Sequence, residues 1–212
     1  MPESDDKTIA WICICTLISN SAYSLIAPFL PIELELKGVV GGYVGLIFMV
    51  YSIAVVLASI SLGNFINTVG TTNLIVLGIF NMGITFVLFG IIDDMNNKTA
   101  IIVYSLVLRM MQGASSAFVQ VTCYSIATND FPEQKEMIIG LVEAMTGVGC
   151  IVGPVVGSAL YGFLGMKHTF LVYGSFLMFL SVIIKLNFSQ KEFTEHPFTE
   201  MEVSETHMLP FD

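Results

Sequence analysis

This chain is short of charge. Only 12% of its 212 residues are Asp, Glu, Lys or Arg, about half the roughly 25% of a soluble globular protein. Arginine occurs once, as Arg109, and the chain has no basic patch, which excludes a nucleic-acid surface. The three histidines (His168, His196, His207) are scattered, and neither a His-Glu-x-x-His nor a Gly-x-Gly-Asp motif is present. Metal-dependent or intramembrane hydrolysis therefore has no constellation to work with; no cofactor or metal site is expected, and the chain does not read as an enzyme. Its four cysteines, Cys13, Cys15, Cys123 and Cys150, all lie inside apolar runs, where they read as small buried residues and not as a disulfide framework. The start, MPESDDK, lacks the basic n-region of a cleaved signal peptide, so the first apolar run is expected to stay as a helix.

What is abundant is hydrocarbon. Hydrophobic residues make up 55% of the chain and the mean hydropathy is +0.81. Six apolar blocks, at about 9–30, 42–63, 73–92, 99–122, 137–161 and 168–187, each reach the roughly 20 residues that cross a bilayer core. The expected fold is all-α: a polytopic membrane protein of six transmembrane helices at 9–187, after a short segment 1–8. Connections of a few residues make neighbouring helices antiparallel and packed. The tail 188–212 holds Glu192, Glu195, Glu200, Glu202, Glu205 and Asp212, is polar, and reads as disordered. Lysines barely discriminate the two sides: Lys7, Lys135, Lys185 and Lys191 against Lys37, Lys98 and Lys167, too even for the positive-inside rule.

Polar residues inside the blocks carry the functional signal. Arg109, Gln112, Gly113, Ser116 and Gln120 fall on one helical face of the fourth block. An unpaired cation there costs about 2.5–3.5 kcal/mol on insertion scales, so Arg109 must face a cavity or an interior partner, or anchor the bundle near a helix end. In the fifth block, Glu143 heads a face shared with Gly147, Cys150, Pro154 and Gly157. It could titrate, bind a cation, pair with Arg109, or sit solvated near the surface. The glycines around Pro154 (Gly147, Gly149, Gly153, Gly157) predict close helix approach and a helix built to bend. In the first block, Asn20, Tyr23, Ser24 and Ala27 share a face ahead of Pro28 and Pro31, which predicts a bent first helix lining a cavity or bonding to its neighbours.

Three stretches in order carry a family resemblance. LVLRMMQGASSA (106–117) resembles the Arg-x-x-Gln-Gly signature of the fourth helix of major facilitator superfamily transporters. GVGCIVGPVVGSALYG (147–162) is similar to that superfamily's fifth-helix Gly-Pro ladder, and GNFINTVGTT (63–72) falls where its charged loop motif lies, keeping Gly63 and Gly70. SNSAYSLIAPFLPIELELKG and GLVEAMTGVGCIVGPVVGSALYG, with Glu143 before the ladder, resemble the vesicular amine and polyamine branch. The resemblance implies a proton-coupled exporter of organic cations working by alternating access, in an intracellular vesicle membrane, with a cytoplasmic N-terminus. It makes Asn20, Ser24, Arg109, Gln112, Ser116, Gln120 and Glu143 the expected substrate and proton pathway. Gly63, Gly70, Gly113, Gly147, Gly149, Gly153, Pro154 and Gly157 become the expected conformational elements. The loop departs from the family pattern: Asn67, Thr68, Thr71 and Thr72 replace its acid and bases, and the branch's first-helix aspartate is absent near Ser19. The superfamily fold has two six-helix halves, and these blocks supply one. The expected partners are therefore the lipid bilayer, a small organic cation and a proton, and a second six-helix half or second copy. The alternative is a transport-inactive half serving as an accessory subunit of a larger membrane complex.

Overall fold

The computed structural model describes residues 3–187, so the acidic tail lies outside the described residues. Among the described residues every regular element is helical: α1 (Glu3–Leu25), α2 (Leu30–Leu36), α3 (Gly41–Val69), α4 (Thr71–Phe89), a 3-10 turn (Gly90–Asp94), α5 (Lys98–Asn129) and α6 (Lys135–Asn187). The helix α6, with its 53 residues, is two spans in one run, broken by a single residue, Gly165, at φ 73° and ψ 176°. With that break the described chain crosses six times, an all-α polytopic membrane fold.

The boundaries differ from the apolar blocks in instructive ways. The helix α1 begins at Glu3, inside the segment read as an N-terminal extension, and stops at Leu25. The bend ahead of Pro28 and Pro31 takes the form of a turn at 26–29 followed by the short α2, with Pro31 in its first turn, where a missing N–H is no loss. The connection expected between the second and third apolar blocks shrinks to Gly70, whose φ of 83° lets α3 pass directly into α4. Likewise 162–168 is helix except at Gly165. Glycines and the gaps between apolar blocks made both stretches look turn-like, but at a membrane surface such residues are compatible with continued helix.

Packing is organised around small residues. Gly149, Gly153 and Gly157 of α6 lie against α1, so close that a Cβ at Gly149 would stand 2.5 Å from the Leu17 carbonyl oxygen. Beyond Gly165, Gly174 and Gly83 press α6 onto α4 with a comparable approach. Around that second seam Phe86, Phe89, Phe170 and Tyr173 are buried in an aromatic cluster, with ring centroids 5.2–5.8 Å apart. In a bilayer no hydrophobic force separates lipid from leucine, so such contacts and interhelical hydrogen bonds hold the bundle together.

The end of the bundle opposite the start of α1 is tied by charge. Lys37 donates to the Asp93 carbonyl at 2.7 Å, Lys167 pairs with Asp94 at 2.5 Å, and the Tyr161 hydroxyl donates to Glu33. These contacts link α2, the 3-10 turn and both sides of the Gly165 break.

Candidate functional site

The polar stripe of α5 faces α1 and α3, while toward α4 the helix presents Ser115, whose Oγ accepts from Asn81 Nδ2 at 2.6 Å. Arg109 is fully buried. Its Nη1 donates to Gln112 Oε1 at 3.1 Å, and its guanidinium carbon lies 4.6 Å from the Phe48 ring centroid and 5.8 Å from those of Tyr51 and Phe89. Ring faces stabilise a desolvated cation by about 2 kcal/mol. Arg109 Nε and Nη2 and Gln112 Nε2 have no partner among the described residues. Beside them Gly113 lets the Tyr51 backbone of α3 come against α5.

One and two turns further along α5 the stripe crosses to α1. Ser116 Oγ lies 3.3 Å from Ser19 Oγ, and Gln120 Nε2 donates to Asn20 Oδ1 at 3.3 Å. Asn20 Nδ2 donates to the Thr16 carbonyl at 2.9 Å and to Thr146 Oγ1 at 3.4 Å, so one amide joins three helices. Ser24 donates across the α1–α6 seam to the Gly149 carbonyl at 3.2 Å. Of the first-block face, Asn20 meets the stripe through Gln120, Ser24 bonds α6 instead, and Ala27 is exposed in the turn after α1.

Glu143 stands elsewhere. It is exposed, and its Oε1 accepts from the Tyr124 hydroxyl at 2.5 Å. Fifteen residues of α5 separate Tyr124 from Arg109, a rise of about 22 Å, so the pairing of Glu143 with Arg109 is ruled out. The expected face beneath Glu143 is also split. Gly147 and Cys150 are exposed and Pro154 is half-buried, whereas the packed ladder is Gly149, Gly153 and Gly157 at four-residue spacing. Cys150 is accordingly not a buried small residue, although Cys13, Cys15 and Cys123 are. Pro154 sits in regular helix, and the break falls eleven residues later at Gly165. Gly63, on α3, is exposed and has nothing near it for a Cβ to meet.

Two residues of the site have no place among the sequence expectations. Tyr124 continues the α5 stripe at offset fifteen from Arg109, and Thr146 lies one turn beyond Glu143; in both cases periodicity carries the signal. The aromatic surround of Arg109, from Phe48, Tyr51 and Phe89, leaves no such trace, because ordinary core aromatics have the same spacing. No group of three or more His, Cys, Asp or Glu side chains placed to hold a metal ion occurs among the described residues.

The geometry is a six-span bundle with a polar line running from its buried arginine to an exposed carboxylate. A family model described as Major Facilitator Superfamily matches residues 12–211. The chain belongs to this superfamily. Among curated superfamily relatives, it is 32% identical over 162 residues to the human MFS-type transporter SLC18B1, covering 76% of this chain and 36% of that protein. It is 29% identical over 191 residues to the multidrug resistance protein MdtG of Rahnella (87% and 44%). A multi-drug resistance efflux pump, PmrA of Streptococcus pneumoniae, is 27% identical over 193 residues (89% and 46%). The chain spans between a third and a half of the length of these relatives. The likeness to SLC18B1 agrees with the resemblance to the vesicular amine branch.

Proposed function

We propose that this chain is the first six-helix half of a proton-coupled antiporter that exports an organic cation or polyamine by alternating access. The observation that carries the reading is the Tyr124–Glu143 pair at the open end of the stripe made by Gln120, Asn20, Ser116 and Arg109. A carboxylate exposed on a membrane helix is costly against hydrocarbon. Water, a cation or a facing second half would relieve that cost. Glu143 is the protonatable group that meets the cation, Tyr124 orients its carboxylate, and Asn20, Ser24, Gln112, Ser116 and Gln120 line the path. Arg109, held between aromatic rings, supplies the fixed positive potential deeper in the bundle that moves a cation away from the core.

Alternating access requires a body to rock against, and the Glu143, Gly147 and Cys150 face of α6 is where a second six-helix half or a second copy docks. The vesicular membrane implied by the resemblance to the amine and polyamine branch fits an exchanger driven by an acidic lumen. The test is reconstitution of the chain in liposomes, alone and with a complementary six-helix half, under an imposed proton gradient. Labelled spermidine uptake that requires the gradient and is lost in Glu143→Gln is the expected result. Absence of gradient-driven cation uptake in every pairing refutes the reading.

A further inference from the structure

On the outside of the bundle, between the start of α4 and the end of α6, runs a groove of about 270 Å³ lined by Val76, Phe80, Ser181, Val182, Lys185 and Leu186. Its walls are hydrocarbon in effect. The Ser181 hydroxyl is turned back onto its own helix, donating to the Met178 carbonyl at 2.7 Å. The floor is fixed, since Gly83 and Gly174 lock α4 and α6 together deeper in the bundle. None of the residues of the polar stripe reaches this groove.

Only Lys185 brings charge to it. Lys185 is exposed in the last turn of α6 and forms no ion pair among the described residues. The stretches 71–92 and 168–187 contain no Asp or Glu at all. A lysine in a last helical turn is favoured by the helix carbonyls alone, but that preference does not account for an apolar channel leading up to it. Both walls are spans of a membrane protein, so what surrounds the groove is lipid. Its cation stands at one membrane surface, where a long lysine side chain reaches the headgroup layer.

We propose that this groove is a binding site for one anionic phospholipid. An acyl chain lies along Val76, Phe80, Val182 and Leu186, and the headgroup phosphate meets the Lys185 ammonium. A zwitterionic lipid offers the same chain with a neutral headgroup, so the lysine is what discriminates. One basic residue near a membrane surface favours an anionic lipid about fivefold.

Native mass spectrometry of the full chain, released from bilayer discs of equimolar phosphatidylglycerol and phosphatidylcholine with matched chains, reads this directly. The expected result is a retained lipid with about fivefold preference for phosphatidylglycerol. Lys185→Glu brings that ratio to one or below, and Lys135→Glu, a change at the same membrane surface away from the groove, leaves it unchanged. Val182→Trp, which fills the channel, lowers retention of both lipids. Equal retention of the two lipids by the unaltered chain overturns the proposal. So does an unchanged ratio in Lys185→Glu, or an equal fall in Lys135→Glu, which reports surface charge in general.

Discussion

The arm of α6 before Gly165 and the arm after it are both apolar helices of membrane-crossing length, yet they pack by different means. The first arm meets α1 backbone to backbone through Gly149, Gly153 and Gly157, with Ser24 and Thr146 adding hydrogen bonds across the seam. Its opposite face is left open and carries the exposed Glu143, Gly147 and Cys150. The second arm packs mainly through Gly174 on Gly83 and through Phe170 and Tyr173 in an aromatic cluster against α4, with one hydrogen bond to α1, from the Tyr173 hydroxyl to Ser21 Oγ at 3.3 Å. A smooth glycine face permits sliding, while interlocked rings resist it. In the proposed alternating-access cycle the first arm is the one that moves and the second the one that anchors, with Gly165 between them as the joint.

The strongest way to break this comparison is to roughen the smooth seam. Gly153→Leu would drive a side chain into the Ser21 carbonyl, the Ser24 hydroxyl and the Leu25 amide. Overpacking of this kind costs about 3 kcal/mol; by soluble-protein scaling the unfolding midpoint falls by about 5–10 °C. Gly147→Leu in the same arm, with nothing near the added carbon, is expected to leave the midpoint unchanged, and an equal drop would dissolve the distinction between packed and open faces.

A smaller effect is expected at the joint. Gly165→Ala forces a Cβ into the left-handed half of φ space, costing about 1–2 kcal/mol, and the change in angle between the arms is readable by spin-label distances from position 150 to position 179. Unaltered distances together with an unaltered midpoint would mean that Gly165 is not a constrained joint.

Weaker still is the external tether of that joint. The Lys167–Asp94 pair is well exposed, so Lys167→Ala costs less than about 1 kcal/mol in stability. Faster amide exchange at 160–168 is the expected signature, reproduced by high salt in the unaltered chain. Exchange that is identical with and without the lysine removes the tether from the account.

The last change separates stability from function. Glu143→Gln touches only the Tyr124 hydroxyl and is expected to shift the unfolding midpoint by no more than about 0.5 kcal/mol in equivalent stability, while cation uptake by the reconstituted pair falls at least about tenfold. A large loss of stability would recast Glu143 as a structural acid.

Much of this architecture is legible in the sequence, for reasons tied to particular residues. The Arg109, Gln112, Ser116 and Gln120 stripe follows from helical periodicity, which the bilayer enforces because no other backbone satisfies its hydrogen bonds there. The glycines of the fifth block signal close approach for the same reason. Which glycines touch is not legible: Gly147 and Gly149 are two residues apart, and only the rotation of α6 against α1 puts one in the seam and the other outside. Pro154 suggests a bend, but its lost hydrogen bond lies within an otherwise regular helix. The real break needs Gly165, a glycine indistinguishable from its neighbours in sequence.

By itself, then, the sequence determined the solvent, the all-helical class and the number of apolar spans, because hydropathy and backbone satisfaction in lipid leave no alternative. It also determined which residues share a helix face. Tertiary structure decided what each face meets. Helix rotation and tilt depend on the sum of many weak side-chain contacts between segments far apart in the chain. Through those contacts Arg109 came to rest among Phe48, Tyr51 and Phe89, and Glu143 came to stand at an open face with Tyr124, about four helical turns further along α5, as its partner.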